Sequence, residues 1–137
     1  MLNRIGCAGL VLLLACMEIA SANDSRSVRF RNIDRVDGLP QSSADAIAQD
    51  SDGYVWIGTQ EGLIRFDGLE FLVFAHDPET PGSLSDEAVR SLFVDRSGVL
   101  WVGTNMGGLS RYDRSSRSFT NFLHDPSNPA SIASNRV

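Results

Sequence analysis

From about Ala44 onward the chain is a series of short apolar runs, each closed by a turn rich in Asp and Gly. The first run of each set alternates only partly: Ala44, Ala46 and Ala48 early on, then Val89, Ser91 and Phe93 later. Asp50-Ser51-Asp52-Gly53 and Asp95-Arg96-Ser97-Gly98 predict tight turns, since Gly tolerates positive φ and an Asp side chain bonds the backbone ahead of it. The β-branched and aromatic stretches Tyr54–Thr59 and Val99–Thr104 predict the next strands. Turns carrying Glu61-Gly62 and Gly107-Gly108 lead to third strands at Leu63–Phe66 and Leu109–Tyr112, ended by Asp67 and Asp113. Fourth strands follow at Phe71–Phe74 and Phe119–Phe122.

The two sets are copies. Trp56 and Trp101 stand 45 residues apart, and Asp50, Gly53 and Gly58 fall in register with Asp95, Gly98 and Gly103. The offset grows to 46 at Gly62/Gly108 and to 48 at Phe74/Phe122, with the insertions in turns. The connectors repeat as well, from His76-Asp77-Pro78 and His124-Asp125-Pro126 through to Val89 and Val137. Self-similarity at this period, with four short strands per unit, predicts propeller blades. The expected fold is all-β, made of four-stranded antiparallel β-propeller blades: two blades plus partial flanking blades, an incomplete ring. The expected division is a signal peptide over 1–22, an N-terminal segment over 23–43, blades over 44–82 and 83–130, and the start of a third over 131–137. Phe30–Ile33 aligns with Phe71–Phe74 and reads as the outer strand of a closing blade. One blade cannot bury its own apolar face, so the chain is expected to be the front of a larger propeller or to complete itself with a second copy.

Within this frame the residues in register read as structural. Gly58 and Gly103 lie inside a strand, where glycine marks a bulge or a close backbone approach. Trp56 and Trp101 are expected to pack between blades, and Arg65 and Arg111 to pair with neighbouring carboxylates.

Composition adds a location and removes some chemistry. The chain has 137 residues, a net charge of −5 and 12 basic residues, all Arg and scattered, so no nucleic-acid footprint is visible. Arg4, an apolar run from Ile5 to Ala15 and small residues at Ala20-Ser21-Ala22 lay out a secretory signal peptide cleaved after Ala22, giving an exported, periplasmic protein. The run is short for a transmembrane helix, which takes about 20 apolar residues. Leu13-Leu14-Ala15-Cys16 offers the alternative of lipidation at Cys16. Membrane association is thus expected only through that lipid or a helix further downstream. Both cysteines, Cys7 and Cys16, fall in this leader, which leaves the remainder without a disulfide or thiolate site.

No catalytic, metal or cofactor residues are expected. Asp50-Ser51-Asp52-Gly53 has too few oxygen ligands for calcium, and its copy replaces Asp52 with Ser97. His76 and His124 sit a full blade apart, whereas zinc wants three or four converging ligands. Glu61, Glu70, Glu79 and Glu87 could supply an acid/base pair for glycoside cleavage, but no nucleophile motif accompanies them. The candidates for ligand contact are Gln60, Glu61, Asn105 and Met106, in the turn after Gly-Thr, where the two copies disagree.

Asp50, Gly53, Trp56, Gly58, Thr59 followed by Gly62, Leu63, Arg65, Phe66, Asp67 resembles the two-component regulator propeller repeat. The second copy carries it as Asp95, Gly98, Trp101, Gly103, Thr104 and Gly108, Leu109, Arg111, Tyr112, Asp113, and Gly38-Leu39-Pro40-Gln41 resembles the lead-in to a first blade. The resemblance covers roughly residues 28–137. It implies a periplasmic propeller ahead of a membrane helix and a histidine kinase or diguanylate cyclase output. The expected function is an extracytoplasmic, non-catalytic sensory segment that binds an external small molecule or glycan. The alternatives are a stand-alone exported binding or scaffold module completed by self-association and, less favoured, the front of a propeller lyase or glycosidase.

Overall fold

Eight strands follow one another as two antiparallel meanders in the computed structural model, which describes residues 43–137. The leader over 1–22, the strand expected at 30–33 and the lead-in at 38–41 lie outside the described residues. The first sheet comprises β1 (Ala46–Gln49), β2 (Val55–Thr59), β3 (Gly62–Phe66) and β4 (Phe71–Phe74). The second comprises β5 (Val89–Val94), β6 (Leu100–Thr104), β7 (Leu109–Asp113) and β8 (Ser118–Phe122). Each sheet has four strands paired in chain order, which is the plan of a propeller blade.

The Asp-x-x-Gly-x-x-Trp spacing has a local cause. Asp50 Oδ1 accepts the backbone N–H groups of Asp52 and Tyr54, both at 3.0 Å, which winds the β1–β2 turn. Its other oxygen, Oδ2, accepts the indole Nε1–H of Trp56 at 2.9 Å. Asp95 repeats the set with Ser97 N, Val99 N and Trp101 Nε1. Gly53 and Gly98 complete these turns at φ of 89° and 83°, values that a β-carbon disfavours. One carboxylate therefore shapes the turn and also fixes the orientation of the large ring that follows it.

Strand alternation puts Trp56, Gly58, Leu63 and Phe74 on the face of blade 1 turned toward blade 2. They meet Val89, Leu100, Val102, Tyr112 and Phe119, with Leu84 of the connector, in a single apolar core. Aromatic rings carry the centre of this seam. Trp56 meets Tyr112 edge-on at 4.9 Å, and Phe74 meets Tyr112 and Phe119 at 5.5 and 5.7 Å. A β-carbon on Gly58 would lie 2.5 Å from Val89 Cγ1, so the strand glycine does mark a close approach between blades. Gly103 is approached in the same way by Val137, at 2.9 Å.

The two copies do not pack alike. Trp56 is 1% exposed, but Trp101 is only half-buried, with Phe122 beside it at 6.0 Å. Both indoles keep their Asp partner, so the pairing belongs to the blade and the burial belongs to the neighbouring blade. Among the described residues Arg65 pairs with no carboxylate. Its guanidinium stacks over the Tyr54 ring at 4.5 Å and near Trp56 at 5.9 Å, because Arg65 lies directly opposite Trp56 in the β2–β3 register. Among the ion pairs of the described residues the cations are Arg90 and Arg114 rather than Arg65 or Arg111.

Candidate functional site

A meander places alternate turns at opposite ends. The β2–β3 and β6–β7 turns lie at one rim, together with the connectors that leave β4 and β8. Gln60, Glu61, Asn105 and Met106 therefore share a rim on adjacent blades. The in-register threonines hold the backbone beneath them. Thr59 Oγ1 accepts from Glu61 N at 3.1 Å and donates to the Gly62 carbonyl at 2.9 Å. Thr104 Oγ1 accepts from Gly107 N and donates to the Gly108 carbonyl, both at 3.0 Å. Gln60, Glu61 and Met106 are exposed and Asn105 is half-buried, so side chains that differ between copies project from a rigid base. The preceding connector steadies the second turn: Met106 N donates to Asp86 Oδ2 at 2.7 Å and Asn105 N to the Ala88 carbonyl at 2.9 Å.

The connector residues weighed for metal binding have a structural part in the same rim. His76 Nδ1 lies 2.7 Å from the Leu84 carbonyl, and His124 Nδ1 lies 2.8 Å from that of Ile132. Ser83 and Ser131 each accept from an Asp backbone amide and donate back to the same residue's carbonyl, at Asp77 and Asp125 respectively. The same stitch thus closes both connectors. The Asp77 carboxyl is held below its usual range, chiefly by the Thr80 hydroxyl, and that of Asp125 chiefly by the Ser127 hydroxyl. Among the described residues no three His, Cys, Asp or Glu side chains gather as a metal site. Glu70 sits in the β3–β4 turn at the opposite rim from Glu61, so those two carboxylates do not face each other across a common cleft.

The opposite rim holds a feature that sequence reasoning missed. A cleft of about 250 Å³ opens between the blades, lined by Asp50, Trp56, Val99, Leu100, Tyr112 and Arg114 among others. Arg114, in the β7–β8 turn, reaches across it: Nη2 lies 3.3 Å from Asp50 Oδ2, and Nη1 bonds Asp52. The Tyr112 hydroxyl, buried at its edge, has no hydrogen-bond partner among the described residues. A second ion pair joins the innermost strands, Arg90 Nη1 to Asp45 Oδ2 at 2.9 Å. Arg90 occupies the register shift between Val89 and Ser91, where a bulge re-aims a side chain. The one available signal was charge: Asp45 and Arg90 occupy equivalent positions 45 residues apart with opposite signs.

A family model described as "Two component regulator propeller" matches residues 38–61 and 83–106, two stretches that contain the turn and Trp strand of each blade. Both blades thus resemble the two-component regulator propeller repeat. The chain is 36% identical over 75 residues to Histidine kinase P4 of Formosa agariphila, a match covering 55% of this chain and 6% of that protein. Among solved structures it superposes on the extracellular domain of the hybrid two-component system BT3049 from B. thetaiotaomicron. That match has a TM-score of 0.71 and 27% identity, over 77% of this chain and 15% of the other. The extracellular domain of BT4673 from the same organism shares the fold, with a TM-score of 0.54 at 24% identity over 66% of this chain and 13% of that one. The chain thus spans a small fraction of the proteins it resembles, and those solved neighbours are extracellular domains.

Proposed function

We propose that this chain is the extracytoplasmic sensory segment of a bacterial signal-transduction protein, either a two-component sensor kinase or a diguanylate cyclase. In this reading the segment binds an external small molecule or glycan and catalyses nothing itself. The observation that carries it is the likeness of both blades to the extracellular domain of a hybrid two-component system. The rim supports it physically: Gln60, Glu61, Asn105 and Met106 project from threonine-braced turns, as recognition residues on a rigid scaffold would.

Two measurements test it. Alkaline phosphatase, which needs oxidative folding, is fused after Val137 and expressed in a bacterial host; high activity is expected, and an inactive fusion would overturn export. The propeller segment is then screened by thermal shift against glycans and small metabolites. Replacing Gln60, Glu61, Asn105 and Met106 together by Ala should leave the unliganded melting temperature within about 2 °C, since surface changes are worth little, and should abolish the ligand-induced shift. Hydrolysed or cleaved glycan in those mixtures would favour a propeller enzyme instead.

A second reading, a stand-alone module completed by its own copies, is favoured by the open face of blade 2, where Phe93 and Phe122 are exposed beside half-buried Trp101. Light scattering separates the two: a discrete ring-sized oligomer supports self-association, and a monodisperse monomer ends it.

A further inference from the structure

The apolar half of the seam between the blades is generic, because both copies carry the Trp, the strand glycine and the aliphatic positions that meet there. The polar half is not. Blade 1 presents Asp45, Asp50 and Asp52 along its forward edge, and blade 2 answers with Arg90 and Arg114. The positions of blade 2 equivalent to that acidic edge are Arg90, Asp95 and Ser97, so two of the three carboxylates are gone. The position of blade 1 equivalent to Arg114 falls in the turn Asp67-Gly68-Leu69-Glu70, which carries no cation.

A second polar line lies within blade 2 and ties its connector to the sheet. Ser110 Oγ, in a residue that is fully buried, donates to Asn121 Oδ1 at 2.7 Å and lies 2.8 Å from Ser85 Oγ, while Asn121 Nδ2 donates to the Ser83 carbonyl at 3.1 Å. The positions of blade 1 equivalent to Ser110 and Asn121 are Ile64 and Val73, which can make none of these bonds.

We infer that this seam is keyed: its charged contacts specify blade 1 as the neighbour of blade 2 and disfavour blade 2 stacking on a copy of itself. The inference is independent of what the propeller senses. Stacking blade 2 on blade 2 would set one Arg90 against another and would leave Arg114 facing Ser97 in place of Asp52. Each correct pair is exposed and modest, but a wrong neighbour loses the attraction and gains a repulsion at the same point. In a protein built from near-identical units that share one apolar interface, such differences decide which unit docks on which.

The test is charge reversal in the full chain, read by thermal melting at low and high salt. Asp45→Arg and Arg90→Asp are made singly and together, and likewise Asp52→Arg and Arg114→Asp. Asp50 is left intact because it also holds Trp56. Each single reversal is expected to lower the melting temperature by about 2–4 °C. Each double reversal should recover at least half of the combined loss, and the effects should shrink in about 1 M salt, where the screening length is about 3 Å. Additive losses in both double variants, unchanged by salt, would overturn the inference. Should a single reversal fail to fold, a cooperative melt regained in its double counts for the inference, and failure of the double to fold counts against it.

Discussion

The same substitution at two equivalent positions should have unequal effects. Asp50→Ala removes the acceptor for Trp56 Nε1, which then lies stranded beneath Tyr112 and Phe74 in a residue that is 1% exposed. Leaving a buried donor unsatisfied costs about 1–3 kcal/mol. Loss of the two turn bonds to Asp52 N and Tyr54 N adds roughly 1 kcal/mol, since those amides can turn to water. A total of about 3 kcal/mol is a substantial part of the 5–15 kcal/mol that holds a typical domain folded. Asp95→Ala breaks the same three kinds of bond, but half-buried Trp101 can offer its Nε1–H to solvent, so the loss should be much smaller. Urea unfolding followed by near-ultraviolet circular dichroism measures both. A Trp56→Phe background supplies the control: with no indole to strand, the Asp50→Ala loss should shrink to the contributions of the turn and of the Arg114 contact. Equal losses at the two positions, or an Asp50→Ala loss unchanged in that background, would refute the argument.

Three further outcomes follow from the same packing. Gly58→Ala forces a β-carbon to within 2.5 Å of Val89 Cγ1 and should cost about 1–3 kcal/mol by overpacking; Val89→Ala in the same chain should return part of it in a melting experiment. Tyr112→Phe removes a buried hydroxyl that has no partner among the described residues, so it should be neutral or stabilising by about 1 kcal/mol, in line with the Phe66 that occupies the equivalent place in blade 1. Acid should weaken the fold late. The Asp95 carboxyl is drawn from 3.8 down to about 2, first by the Ser97 hydroxyl and then by the Trp101 indole, and Asp67, Asp77, Asp113 and Asp125 are lowered by their own turn donors. A depressed carboxyl stabilises the fold above its unfolded value and loses that contribution as pH falls through the folded one. The Asp95 contribution should therefore persist down to about pH 4 and disappear between about 4 and 2, a decline that Asp95→Asn reduces in an acid titration of ellipticity.

Strands, turns and repeat were legible in the residues because their causes are local. An Asp bonds amides two and four residues ahead and an indole six ahead, and β-branched and aromatic runs pleat between such turns. The strand glycines were legible too, since only a close approach explains Gly in the middle of Val55–Thr59. The rim holding Gln60, Glu61, Asn105 and Met106 followed from the antiparallel order of the strands. What the tertiary structure decided was partnership across the seam. Arg114 meets Asp50 and Asp52 from more than 60 residues away, in contacts that depend on how one sheet sits on the next. Arg65 took an aromatic ring where a carboxylate was expected, because the β2–β3 register set it opposite Trp56. Trp56 and Trp101 have matching surroundings in sequence and unequal burial in space. A repeat encodes each blade in the same local terms, but burial and charge pairing arise between blades, and the interface is where the two copies cease to be equivalent.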